Sequence, residues 1–179
     1  MNKVKRTPEI KQSVSSSELE PNFKSEVLAH TDVQGLNACF SCGTCSAGCP
    51  IHEVFPEYNP KKLAKMVSLG MKRQVLNSPY IWYCATCRNC EQRCPQNVKF
   101  FNILNALKNM AAKEGYAPAV WIEQTKQVIK TGMVFPTEKS WVKKREELSL
   151  PFLKEGHPEL KKIIELTGID KIKPKVDTE

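Results

Sequence analysis

The chain has 179 residues, 41% hydrophobic and 26% charged, with a formal net charge of +8. That length suits one compact domain with a modest core and loose ends. It contains no run of about 18 apolar residues and no apolar stretch behind its charged start, which excludes a membrane-spanning helix and a secretory signal and makes the cytoplasm the expected location.

Residues 1–17 are polar, serine-rich and partly basic, and are expected to form a flexible arm. Residues 18–31 suit a short helix begun at Ser17 or Glu18, with Leu19, Phe23, Val27 and Leu28 apolar and Pro21 disturbing its start. A first cysteine run fills 38–51. A helix is expected over 59–70, with Asn59 as N-cap, Pro60 at its first position and Leu63, Met66, Val67 and Gly70 on one face. A short turn at Lys72–Leu76 ends in Asn77-Ser78-Pro79.

The second cysteine run fills 80–95 and opens on the aromatic stretch Tyr80-Ile81-Trp82-Tyr83, read as a packed cover rather than an electron path. A helix over 98–114 turns Phe100, Ile103, Leu104, Leu107 and Met110 inward and stops at Gly115. Another over 118–131 lies between Pro118 and Gly132, with Val120, Trp121, Val128 and Ile129 apolar. Residues 133–157 read as an extended or partly helical tail with Trp141 as an anchor, and 158–167 as a last short helix. The expected fold is mainly α: a flexible arm over 1–17, an α-helical ferredoxin-like domain with two clusters over 18–132, and an extended C-terminal docking tail over 133–179.

The chemistry lies in the cysteines. The first run is Cys39-x2-Cys42-x2-Cys45-x3-Cys49-Pro50, and the second, with identical spacing, is Cys84-x2-Cys87-x2-Cys90-x3-Cys94-Pro95. Each is followed by a helix, so the layout is an internal duplication. Zinc sites favour paired C-x2-C knuckles, and disulfides need an oxidising compartment, so the pattern points to two [4Fe–4S] clusters. Three cysteines of such a run wrap one cube, and in two-cluster ferredoxins the fourth ligates the other. On that pattern Cys39, Cys42, Cys45 and Cys94 hold cluster one, and Cys84, Cys87, Cys90 and Cys49 hold cluster two.

Each four-thiolate cluster carries about −2, which lowers the balance to roughly +4. With no basic helix or recognition motif, nucleic-acid binding is not expected. Arg88 and Arg93 occur only in the second run, where their charge is expected to raise the potential of cluster two. His30, His52 and His157 are isolated and read as surface or capping residues. No Ser/His/Asp set, phosphate loop or dinucleotide fingerprint is present, so no catalytic residue is assigned.

The segments NACFSCGTCSAGCP and IWYCATCRNCEQRCP, separated by PKKLAKMVSLGMKRQVLNS, resemble the C subunit of heterodisulfide reductase. The resemblance implies a non-catalytic relay subunit of an oxidoreductase complex. It would take electrons from a flavin-containing A-type subunit and pass them to a cysteine-rich, disulfide-reducing B-type subunit. The alternatives are a free two-cluster ferredoxin and the iron–sulfur subunit of another dehydrogenase. Subunits of the latter kind usually add further cysteine-bearing domains, and no cysteine lies outside the two runs here.

Overall fold

A computed structural model describes residues 14–30, 33, 35–152, 156 and 158–173. Among them the regular structure is helical, with no strand, so the mainly α expectation holds. The chain divides into two compact units, Met1–Ala111 and Ala112–Glu179.

In the first unit, Ser15 accepts from the Ser17 amide and opens a 3-10 turn at Ser16–Glu18; residues 1–13 of the expected arm lie outside the described residues. Helix α1 is Phe23–Leu28, shorter and later than expected. Leu19 is extended and the Glu20 amide is bonded to Gly70 O, which takes residues 19–20 out of a helix begun at Glu18. Phe23 and Val27, one turn apart, are both fully buried and face α4, which is Pro60–Ser68.

Helix α4 starts as the sequence specifies. The Asn59 side chain accepts from the Lys62 amide at 3.0 Å and Pro60 takes the first position. Leu63, Met66 and Val67 are buried on one face. Asn59 Oδ1 also accepts from Ser46 Oγ at 2.8 Å, and that hydroxyl accepts from the Lys61 amide at 3.0 Å. One cap thus ties α4 to the first cysteine run. Asn59→Ala is expected to cost about 1–2 kcal/mol, the upper range for a cap, because two partners lose their bond; chemical denaturation of the cluster-loaded protein would measure it.

Gly70 ends α4 at φ +77°, and a Cβ there would fall 2.5 Å from the Glu20 carbonyl oxygen. That contact seats the 18–20 segment backbone to backbone, with the Glu20 amide donating to Gly70 O at 2.8 Å. Helix α5, Lys72–Leu76, buries Val75 and Leu76. Helix α7, Phe100–Lys113, buries Phe100, Ile103, Leu104, Leu107 and Ala111 along one stripe, and Ala106 beside it. Met110, expected inward, is half-buried because it falls at the edge of that stripe.

The second unit is differently made. It holds α8 (Ala119–Thr131), α9 (Lys139–Glu147), α10 (Pro158–Thr167) and a 3-10 turn at Ile169–Lys171. Helices α8 and α10 fall where their Pro and Gly boundaries place them. The inward residue of α8 is Ile122, which with Ile129 faces Ile169 and Ile172 across an open groove. Val120 and Trp121, expected to be apolar contacts, are 74% and 47% exposed. Trp141, expected as an anchor, lies on α9 at 52% exposure. Ile122 is the one buried hydrophobic side chain among the described residues of this unit. His157 and residues 174–179 lie outside the described residues.

Candidate iron–sulfur centre

The two cysteine runs share one backbone design at a spacing of 45 residues, from Cys39 to Cys84. Each is entered from a 3-10 turn, Leu36–Ala38 and Pro79–Tyr83, with Leu36 and Ile81 buried at equivalent places. Each run then visits the left-handed region twice: Ser41 at φ 58° and Gly43 at φ 90°, Thr86 at φ 58° and Arg88 at φ 61°. A short helix follows in each, α2 (Thr44–Ala47) and α6 (Asn89–Gln92), and the two pack together. Left-handed geometry costs a non-glycine residue about 1–2 kcal/mol, most of all a β-branched one such as Thr86. Alternating hand turns successive amides to one side and forms the anion-binding concavity found at many iron–sulfur sites.

After the fourth cysteine the halves diverge. Cys49 is the N-cap of α3, Pro50–Val54, with Pro50 at its first position. Pro50 therefore opens a helix, whereas Pro95 leads into a turn before α7. The halves are interlocked: a Cβ on Gly35 would lie 3.1 Å from Asn97 O and Val98 Cα. The start of the first run thus rests on the chain leaving the second.

This crossing gathers the sulfurs. Cys39, Cys42 and Cys45 line one open recess with Cys90 and Cys94 of the other run, and Val98 and Phe100 line it too. The Val98 amide donates to Cys94 Sγ at 3.3 Å. Cys49, from the first run, is not in that recess; burial pushes the Tyr58 hydroxyl up, and Cys84, Cys49 and Cys90 add to the rise. Cys42 and Cys87, the second cysteine of each run, are exposed, and the other six are partly buried. Burial pushes the Cys45 thiol up, and pushes Cys90 up to about 12 with help from Cys84 and Glu91. The Thr44 hydroxyl, 3.3 Å from Cys42 Sγ, holds that thiol low.

These residues fit two cubanes. All eight cysteines are free thiols. No three His, Cys, Asp or Glu side chains among the described residues converge on a single-ion site. A mononuclear zinc draws its sulfurs to about 2.3 Å from one point, whereas a cube takes its thiolates at the corners of a wider figure.

The remaining expected residues are placed as follows. Arg88 stacks on Phe101, 4.6 Å from the ring centroid. Arg93 lies across Gly48, where a Cβ would meet its Cδ at 2.6 Å. Each arginine thus has a packing role that run position alone did not suggest. His52 Nδ1 donates to the Tyr58 carbonyl oxygen at 2.9 Å and so braces a loop. In the aromatic stretch Ile81 is buried, and Tyr83 meets Tyr80 and Phe55 edge to face at 5.5 and 5.6 Å. Three residues went unmarked in the sequence: Tyr58, Lys108 and Glu91. Glu91 occupies the place of Ser46 in the second run and is buried with Oε1 unpartnered. Lys108 stands on α7 with its ammonium 6.0 Å from the Trp82 ring centre, its pKa lowered by burial and partly restored by Cys84. No periodicity or spacing identifies such residues, because their neighbours are distant in sequence.

Two interlocked cysteine runs in a helical domain define a dicluster iron–sulfur protein of electron transfer. Residues 35–98 match the family model of the 4Fe-4S dicluster domain, and the cofactors are two [4Fe–4S] clusters. The chain is 31% identical over 155 residues, 83% of each chain, to the C subunit of the H(2):CoB-CoM heterodisulfide,ferredoxin reductase of Methanothermobacter thermautotrophicus. It is 34% identical over 145 residues, 77% of each chain, to an iron-sulfur C subunit of the CoB–CoM heterodisulfide reductase of Methanocaldococcus jannaschii. The corresponding C subunit of Methanopyrus kandleri is 28% identical over 173 residues, covering 89% of this chain and 90% of that one. The chain belongs to the family of heterodisulfide reductase C subunits. No helix among the described residues is long and apolar enough to cross a membrane.

Proposed function

We propose that this chain is the electron relay of a heterodisulfide-reductase-like complex. It takes electrons from a flavin-containing A-type subunit and hands them to a cysteine-rich, disulfide-reducing B-type subunit, in the cytoplasm. Cys39, Cys42, Cys45 and Cys94 hold one cluster, and Cys84, Cys87, Cys90 and Cys49 the other. The clusters supply one-electron oxidation and reduction. The chain's own residues keep the two centres adjacent, shield them, and leave one edge of each, at Cys42 and Cys87, open to partners.

The observation that carries this reading is that Cys94, with Cys90, shares one recess with the first three cysteines while Cys49 does not. Exchange of fourth ligands makes one rigid two-centre unit, which suits a wire more than a single-site carrier. The domain itself is read as 18–132, behind an arm over 1–17. Residues 133–179 are the docking extension: Phe135, Trp141, Phe152, Ile163 and Leu166 are between 52% and 81% exposed there. Apolar side chains in that number are covered in a working assembly.

Anaerobic purification from the native source, followed by size exclusion and mass spectrometry, tests the reading. The expected result is co-elution with a flavoprotein and a second cysteine-rich chain, and oxidation of the pre-reduced clusters on adding a disulfide substrate. A lone 20.3 kDa species that exchanges electrons freely in solution would favour the free ferredoxin instead.

A further inference from the structure

We propose that the rim of the recess at Cys42 is a docking face for a protein partner that presents carboxylates around its own redox group. Phe40 is its apolar contact, and Lys61, Lys62 and Lys65 of α4 are its charged flank. Phe40, Cys42, Gly43 and Lys61 line the same open recess. Phe40 is 59% exposed, and Cys42 is the exposed cysteine of its run. Lys61 reaches over the loop: a Cβ on Gly43 would lie 3.6 Å from its Cδ and 3.9 Å from its Nζ. The Lys61 amide donates to Ser46 Oγ at 3.0 Å, which fixes the start of α4 beside the run. Lys65 follows Lys61 by four residues and Lys62 by three, so the three share one side of the helix. All three are exposed, and none has an ion pair among the described residues. The neighbouring sequence supplies no counterion: no Asp or Glu occurs from residue 33 to 52 or from 58 to 90.

Compensation of the cluster's own negative charge accounts for Lys61. It does not account for Lys62 and Lys65, which do not line the recess, or for an exposed phenyl ring beside an exposed ligand. An apolar centre within a polar rim is the anatomy of a protein–protein contact. Like charges around a redox edge steer an oppositely charged partner onto it and fix its orientation. A second copy of the chain is the wrong occupant, because the formal charge is +8 and stays at roughly +4 with both clusters bound. The second run has no such flank. Arg88, in the register of Gly43, lies on the Phe101 ring at 4.6 Å, and Lys108 lies against Trp82 at 6.0 Å. Both of those cations are engaged within the chain, so the Cys42 edge is the one steered by charge.

The inference rests on the proposed exchange of electrons with partner subunits and names the chemistry of one contact. The first test is carbodiimide cross-linking of the intact native complex, which joins a lysine amine directly to a carboxylate, read by peptide mass spectrometry. Links from Lys61, Lys62 or Lys65 to an Asp or Glu of a partner subunit are expected. The second test titrates cluster-loaded Lys62→Glu protein against the partner subunits dissociated from the native complex. Glutamate in the first turn of α4 suits the helix dipole, and Lys62 does not line the recess, so iron content and both potentials are expected to stay unchanged. Binding at low salt is expected to weaken about fivefold or more, and the deficit to close as salt is raised. Lys113→Glu makes the same change of charge at the far end of the 14-residue α7 from Phe100, about 20 Å away, and should bind as the unaltered chain does. Phe40→Ala should weaken binding at low and high salt alike. Links from none of the three lysines, links only to the chain's own carboxylates or to a second copy, or Lys62→Glu binding as tightly as Lys113→Glu at low salt overturns the proposal and leaves the relay reading standing. A chain that elutes alone overturns both.

Discussion

Cys49→Ala is expected to strip the second cluster, although Cys49 stands in the first run. The recess lined by Cys39, Cys42 and Cys45 is lined also by Cys94 and Cys90 of the second run, and not by Cys49. A four-thiolate cube that loses one ligand releases an iron or is lost, so roughly half of the bound iron is at stake in each single variant. The reciprocal result is expected of Cys94→Ala, which should strip the first cluster. EPR spectra of the reduced variants sort the ligands without any assignment in advance. Cys49→Ala should leave the same residual spectrum as Cys84→Ala, and Cys94→Ala the same as Cys39→Ala. If Cys49→Ala instead matches Cys39→Ala, each run closes its own cube and the crossing has no role in ligation. Either loss breaks the relay, since an electron entering at one centre then has no second centre to reach.

The second large effect is on stability. Leu104→Ala should cost about 3–5 kcal/mol, the transfer free energy of the side chain plus the cavity it leaves. Leu104 is 0% exposed in the middle of α7, flanked by the equally buried Ile103 and Leu107. The surroundings cannot collapse onto the gap without moving the stripe that backs both Phe101, under Arg88, and Lys108, over Trp82. A small domain holds only about 5–15 kcal/mol in all. The melting temperature of the loaded protein should fall by about 10 °C or more, and the second cluster should be released earliest on heating. Leu166→Ala on α10 is the control. At 77% exposure it should move stability by no more than about 0.5 kcal/mol, yet weaken co-elution with the partner subunits. Equal melting losses in the two variants would mean that the second unit has a core of its own.

How much of this was legible beforehand differs from feature to feature for physical reasons. The cap at Asn59 and the Pro60 start of α4 were legible because the groups involved are within three residues of each other. The outline of α7 was legible because one face repeats with the helical period, though Met110 shows that apolarity alone does not place a residue on the stripe. In α1 the periodic positions Phe23 and Val27 were right, and the start falls later because Glu20 is bonded to Gly70, fifty residues on. In α8 the boundaries and Ile129 were right, but Ile122 was missed. Val120 and Trp121 are apolar, but the groove formed with Ile169 and Ile172 selects Ile122 and Ile129.

What the sequence by itself determined is local. It specified eight cysteines in two equal registers, the duplication at 45 residues, the mainly helical class, and the caps and prolines that bound several helices. Each of these depends on residues near one another along the chain. What only the tertiary structure decided depends on residues far apart: Gly35 against Val98, Arg93 across Gly48, and Phe55 on Tyr83. Spacing announced that two clusters are present. The way the halves cross decided which sulfurs share a recess.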